Sequence, residues 1–345
     1  MSTGTGSDLL AAALQRAPAL TVRSLRVRAV ELPADPPVET AAGTLTTFPL
    51  ALIDLQTEQG VTGRTYVATY TPEGLAGVVA ALNALDIAGR PVATLSDDLR
   101  PRFFFTGTAG LMGYALGGLD MAAWDALARA AELPLATLLG GAPEPVPAYG
   151  SLTSRAGADA EARAAEGFPA LKVKSTDPAV IARIKALGVD LMVDLNQQPI
   201  PDIERLDDAG LVWIEEPFPA ADLAAYARFT AATATPVQAG ESWWSPEEAR
   251  RSVEAGATDL VMPDVARVGG VTGFLRVAAH GLPTSTHLYP EVSAHLLAAI
   301  PNGHYLEHLD KAGPILQEPV VAKDGTVMPG GPIEWDEAAV TRFSV

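Results

Sequence analysis

From Pro147 onward, short β-rich runs alternate with helical runs, and this alternation restricts the possible folds more than any other feature of the chain. The strands read as AYGSL (148–152), ALKVK (170–174), LMVDLN (191–196), VWIEEP (212–217), VQAG (237–240), DLVMPD (259–264), PTSTH (283–287) and YLEHL (305–309). Helical segments such as PEEARRSVEAG and SAHLLAAI lie between them. Eight such repeats predict a closed parallel barrel. Residues 146–312 are few for this architecture, which takes roughly 200 at minimum, so the helices after strands two and three are expected to be short.

Residues 21–145 have a different texture. VRSLRVRAVELP, TFPLALIDLQTEQG and VTGRTYVATY alternate and break at turns, which predicts a three-stranded antiparallel meander. VETAAGTLT, between the first two strands, reads as a mobile loop. From Pro72 to Ala131 the period becomes helical, so this region is expected to form an α+β domain. Residues 1–20 read as a leader, disordered or a short added helix, and the tail 313–345, with its strand-like GTVMPG, is expected to return to the first domain.

Composition removes several functions. The chain has no cysteine, which excludes disulfides, thiol nucleophiles and cysteine–zinc sites. Its net charge of −17 argues against nucleic-acid binding through phosphate neutralisation. The longest apolar stretch, 110–131, contains Asp120 and Asp125, so no membrane span is expected. A cytoplasmic location is expected.

Barrel active sites form where the strands end at their C-terminal side. Here the strand ends carry Lys172 and Lys174, Asp194 and Asn196, Glu215 and Glu216, Glu241, Asp264, His287 and Glu307. Seven consecutive strands thus deliver ionisable groups to one rim. Lys172 and Lys174, two of only five lysines, share a strand face at period two and are expected to depress each other's pKa. Asp194, Glu215 and Glu241 would repel one another unless a hard divalent cation joined them, and an all-oxygen set suits Mg²⁺. Glu216 competes with Glu215 at strand four, and any one of these carboxylates could instead cap a helix. Asp264 and His287 end neighbouring strands and suit an acid–base pair. His280, His295, His304 and His308 read as structural, and GGVTG (269–273) as a helix entry.

Lys-Val-Lys, VDLNQ, WIEEP, AGES, MPD…VGGVTG, STHLYPEVSAHLLAA and LEHLD, in this order, resemble the mandelate racemase branch of the enolase superfamily. The resemblance extends to PVETAAGTL, LIDL, TYTP and LDMAAWDAL upstream. It implies a TIM-type (β/α) barrel, modified in the last repeats, with an α+β N-terminal capping domain. It also implies Mg²⁺ on Asp194, Glu215 and Glu241, with Lys174 and His287 as bases on opposite substrate faces and Asp264 orienting His287. Lys172 and Glu307 would hold the substrate carboxylate, Glu307 as a neutral acid donating a hydrogen bond. Asn196 would support the metal side, and Ser151 would close strand one.

Departures from the family pattern are local. The spacings Lys174–Asp194 and Asp194–Glu215 are short, and Ala68, Ala42 and Phe105 change the pocket outline. Leu45, Tyr70, Leu288 and Leu309 are expected as apolar walls. The resulting expectation is racemisation of an aryl or bulky apolar 2-hydroxy acid by a homo-oligomer. The rival is an acid-sugar dehydratase using the same groups, with Glu39 reaching a distal hydroxyl; a second rival is a barrel that has lost turnover.

Overall fold

The computed structural model describes residues 6–198 and 200–345. Of the expected leader, residues 1–5 lie outside the described residues, and Gly6–Arg16 form helix α1, which buries Leu10 and Ala13. Strands β1 (Val22–Thr40), β2 (Gly43–Thr57) and β3 (Thr62–Ala68) make the antiparallel meander. Helices α2 (Pro72–Asn83), α3 (Leu95–Leu99), α4 (Leu111–Ala130) and α5 (Leu135–Leu138) follow. Every residue of α4 from Gly113 to Trp124 is buried, which explains a sequence apolar on all sides. Its Asp120 accepts from the Thr272 backbone N–H at 3.0 Å, a polar tie between the first domain and the barrel. Burial pushes that carboxyl up to about 6.

The segment expected as a mobile loop is instead a strand hairpin. β1 and β2 stay paired through Val38↔Leu45, Glu39↔Thr44 and Thr40↔Gly43. Its small residues suggest a loop to local pattern reading, but cross-strand pairing, a non-local contact, decides the outcome.

Strands β4 (Val146–Ser151), β5 (Ala170–Val173), β6 (Asp190–Asp194), β7 (Ile214–Glu215), β8 (Val237–Ala239), β9 (Leu260–Val261), β10 (Thr284–Thr286) and β11 (Gly303–His308) run parallel. β11 pairs with β4 and closes the barrel. Helices α6 (Ala160–Ala165), α7 (Pro178–Lys185), α8 (Leu223–Ala232), α9 (Pro246–Glu254), α10 (Gly270–Ala278) and α11 (Pro290–Ala299) surround it. The third repeat has only a 3₁₀ turn, Ile203–Ala209, and α7 spans 8 residues, the trimming expected from the spacing. Local chemistry sets the helix starts: Ser245 caps α9 by accepting from the Glu248 N–H, with Pro246 at the first turn.

The tail divides. β12 (Ala322–Lys323) and β13 (Thr326–Val327) form a hairpin, and β13 pairs antiparallel with β4. GTVMPG therefore extends the barrel sheet rather than returning to the first domain. The last helix, α12 (Glu337–Phe343), does pack on β1, and the Val345 N–H donates to the Ala29 carbonyl. Among the described residues, no helix is long and apolar enough to cross a membrane.

Candidate active site

The period-two rule of strands builds the site. Tyr149, Ala170, Met192, Trp213 and Leu260, with Tyr305 packed against them, fill the lower barrel interior. Two residues further along their strands, on the same inward side, stand Ser151, Lys172, Asp194, Glu215 and Glu307. An apolar plug thus supports a layer of polar groups. At strand four, Glu215 shares the inward face with Trp213, whose Nε1–H donates to its Oε2 at 2.9 Å, while Glu216 lines the cavity. Glu216 follows with a left-handed backbone, φ 41°, and accepts from Ser242 Oγ at 3.1 Å. At Gly240, φ is +140° and a Cβ would stand 2.9 Å from the Met262 backbone, so glycine is needed immediately before Glu241.

One oxygen each from Asp194, Glu215 and Glu241 lie within 4.8 Å of one another. This buried all-oxygen cluster fits a hard divalent cation. Asn196 donates its backbone N–H and its Nδ2 to Asp194, at 2.8 and 2.9 Å, and fixes that carboxylate. Burial pushes Glu215 up to about 8 and raises Asp194, in each case against the attraction of Lys172. Both carboxylates are therefore costly as anions unless a cation joins them.

Lys172 departs from the expectation of a depressed lysine. Its Nζ lies 2.6 Å from Glu215, 2.9 Å from Glu307 and 3.9 Å from Asp194. Burial lowers its pKa, but Glu215 and Glu307 outweigh burial and hold it well above the ordinary value. Glu307 also departs from expectation. Burial raises its pKa, yet Lys172, His287 and Lys174 together hold it well below the carboxylate range, so here it is an acceptor rather than a neutral donor. Its Oε2 is buried without a hydrogen-bond partner.

On the seventh strand, His287 Nδ1 lies 2.8 Å from Asp264 Oδ2, and its Nε2 is 3.4 Å from Glu241 and 3.8 Å from Glu307. Asp264 is fully buried. Its Oδ1 accepts from the Ala266 and Arg267 N–H groups at 2.9 and 3.0 Å, so the loop itself aims the carboxylate at the imidazole. A bond from Nδ1–H to Asp264 leaves Nε2 free to take a proton.

Most of these groups line a cavity of about 390 Å³ at the barrel mouth, under the β1–β2 hairpin, with Glu215 and Asp264 buried behind its wall. It brings together Ser151, Lys172, Lys174, Asp194, Asn196, Glu241, His287 and Glu307, with Leu45, Tyr70, Leu288 and Leu309 on its walls. Three expectations about the pocket do not hold. Phe105 is 96% exposed and does not line the cavity. Glu39 points out of the cavity and accepts from the Arg155 N–H at 2.5 Å. The pocket is not apolar throughout, because Arg267, Lys311, Gln197 and Ser242 also line it. Sequence reasoning missed these four; Lys311 continues the parity of Glu307 and Leu309, the one signal that pointed to it.

Residues 22–140 match the mandelate racemase / muconate lactonizing enzyme N-terminal domain, and residues 155–339 match the enolase C-terminal domain-like family. The chain belongs to the mandelate racemase/muconate lactonizing enzyme family of the enolase superfamily. Its TIM barrel with a capping domain is the architecture of that family. Among solved structures of similar proteins, an enolase from Bradyrhizobium complexed with magnesium and mandelic acid is 38% identical, with a TM-score of 0.89 over 95% of this chain and 99% of that one. An L-talarate/galactarate dehydratase from Salmonella typhimurium is 33% identical over 64% of this chain, and the match spans only 61% of that protein. A D-galactarolactone cycloisomerase from Agrobacterium fabrum is 32% identical over 69% of this chain and 75% of its own length. This family member thus shares its fold with enzymes of more than one reaction class.

Proposed function

We propose that the protein is a Mg²⁺-dependent racemase of a 2-hydroxy acid that works by 1,1-proton transfer between two bases. The observation that carries this is the placement of Lys174 and His287 at the ends of strands two and seven, with Asp264 behind His287 at the end of strand six. Strands eight and one lie between them, and Lys174 and His287 line one cavity with Asp194 and Glu241. A carboxylate substrate seated over Lys172 would present its α-carbon to a base from either side.

Magnesium is bound in the Bradyrhizobium relative; here Asp194, Glu215 and Glu241 would hold it, and it would supply Lewis-acid stabilisation of the negative charge that builds on the substrate carboxylate. The chain supplies the rest. Removing the α-proton puts a second negative charge on the carboxylate, giving an enediolate, and the Lys172 ammonium, buried beside Glu215 and Glu307, would meet that charge. His287 Nε2 takes or returns the proton on one face while Asp264 stabilises the imidazolium. Lys174 does the same on the other face. Leu45, Leu288 and Leu309 suit an aryl or bulky apolar substituent.

A second reading, an acid-sugar dehydratase, is favoured by the polar lining residues Gln197, Ser242, Arg267 and Lys311 and by the relation to the talarate/galactarate dehydratase. ¹H NMR in D₂O separates the two, with (R)- and (S)-mandelate and galactarate supplied in turn with Mg²⁺. Deuterium entering the α-position with inversion supports the racemase; loss of water to a 2-keto acid supports the dehydratase and overturns the first reading.

A further inference from the structure

The cap end of the cavity holds a cation that the proton-transfer scheme does not use. Lys311 lies past the end of β11, 5% exposed, with its side chain on the cavity wall. Among the described residues, it forms no ion pair within 4.0 Å and no hydrogen bond, whereas Lys172 is ringed by three carboxylates. Its neighbours are ring faces: Nζ lies 4.3 Å from the Tyr70 centroid and 5.1 Å from that of Phe48. Such contacts favour a cation and leave its N–H groups available to what enters the cavity.

A second cation borders the same ring. The Arg267 guanidinium sits 5.5 Å from the Tyr70 centroid and donates to Tyr114 Oη and to the Glu241 carbonyl. Tyr70 itself is held with φ 62°, a conformation that a tyrosine adopts only under constraint from its surroundings. Burial pulls Lys311 down to about 8, which still leaves it charged at neutral pH. An ammonium that faces a cavity and has no carboxylate within ion-pair distance offers its N–H groups to an anion that enters there. A distal hydroxyl would bond it without neutralising it; a carboxylate does both.

We propose that Lys311 determines substrate specificity by binding a second carboxylate at the cap end of the cavity, so that the substrate is a 2-hydroxy dicarboxylate. This rests on the proposed function for the position of the first carboxylate. It refines the substituent from apolar to one with an apolar stem against Leu45, Leu288 and Leu309 and an anionic end on Lys311. The competing role is structural: Lys311 only pins Phe48 and Tyr70 of the cap to the barrel and binds no ligand.

The test is calorimetric binding to the Mg²⁺-loaded protein at pH 7 of two matched pairs, 2-hydroxyglutarate against 2-hydroxyvalerate and 2-hydroxyadipate against 2-hydroxyhexanoate. Within each pair the molecules differ at the distal carboxylate. At least one diacid is expected to bind about tenfold or more tightly than its partner, the effect of one desolvated charged hydrogen bond. Lys311→Met closes the gap and Lys311→Arg retains most of it. Equal affinity within both pairs in the wild type, including no binding by either member, overturns the proposal, as does a gap that persists in Lys311→Met. α-Proton exchange in the same samples reports separately on the bases. A diacid that binds with the expected gap but never exchanges upholds Lys311 and sinks the racemase reading; exchange of monoacids without a gap does the reverse.

Discussion

Asp264→Asn isolates one base with little change of shape. Asn is isosteric, and its Oδ1 can keep the bonds from the Ala266 and Arg267 N–H groups at 2.9 and 3.0 Å. What changes is the atom 2.8 Å from His287 Nδ1, an acceptor in the wild type and an NH₂ donor in the variant. His287 then accepts at Nδ1 and carries its proton on Nε2, the atom facing the site, where it can no longer take a proton from substrate. The same tautomer error in a serine-protease triad costs about 10⁴-fold, which is about 5.4 kcal/mol of barrier at 1.36 kcal/mol per tenfold. The expected result is a loss of 10³- to 10⁴-fold in α-proton abstraction from one enantiomer, with exchange of the other enantiomer continuing through Lys174. The assay is ¹H NMR in D₂O on each enantiomer, with Mg²⁺. Because the loop bonds survive, the unfolding free energy from urea titration should change by no more than the ~1 kcal/mol of an ordinary hydrogen bond. Equal losses for both enantiomers, or no loss for either, would refute the assigned role of Asp264.

Three further outcomes follow from the packing and charges. Lys311→Met should stabilise the protein at pH 7 by about 3 kcal/mol, from the fall between 10.5 and about 8. A lysine depressed in the folded state is destabilising below its folded pKa, so the gain should shrink as pH rises from 8 towards 10.5; urea titrations at pH 7 and 10 check the sign. Gly117→Ala places a Cβ 1.9 Å from the Ala266 carbonyl oxygen, in the loop that aims Asp264, and should cost about 1–3 kcal/mol in urea unfolding together with exchange activity. Mg²⁺ should raise the melting temperature of the wild type, with a much smaller rise in Glu215→Gln, where one of three clustered carboxylates is gone.

The barrel was legible because its strands are buried on both faces and bounded by turn residues, and because period two carries Met192 to Asp194 and Trp213 to Glu215. The trimmed third repeat was legible from spacing alone. What local pattern could not show was direction and partnership beyond the strands. Glu39 sits in a hairpin whose pairing turns it toward Arg155, and GTVMPG finds its partner in β4, more than 150 residues away. Arg267 enters the cavity from a loop, where periodicity no longer fixes where a side chain points, and Lys311 lies past the end of β11, where the parity of Glu307 and Leu309 was the one trace of it. The electrostatics of Lys172 and Glu307 depend on which carboxylates the closed barrel brings within 3 Å, and sequence order does not encode that distance.

The central claim is that two bases serve opposite faces of one carbon. It is tested most directly by α-proton exchange in D₂O for both enantiomers of one exchanging substrate, in Lys174→Ala and in His287→Asn. The account predicts a crossed pattern: each variant loses abstraction from one enantiomer, the two losses fall on opposite enantiomers, and neither variant racemises. Loss of both enantiomers in one variant, with the other variant unaffected, would contradict it.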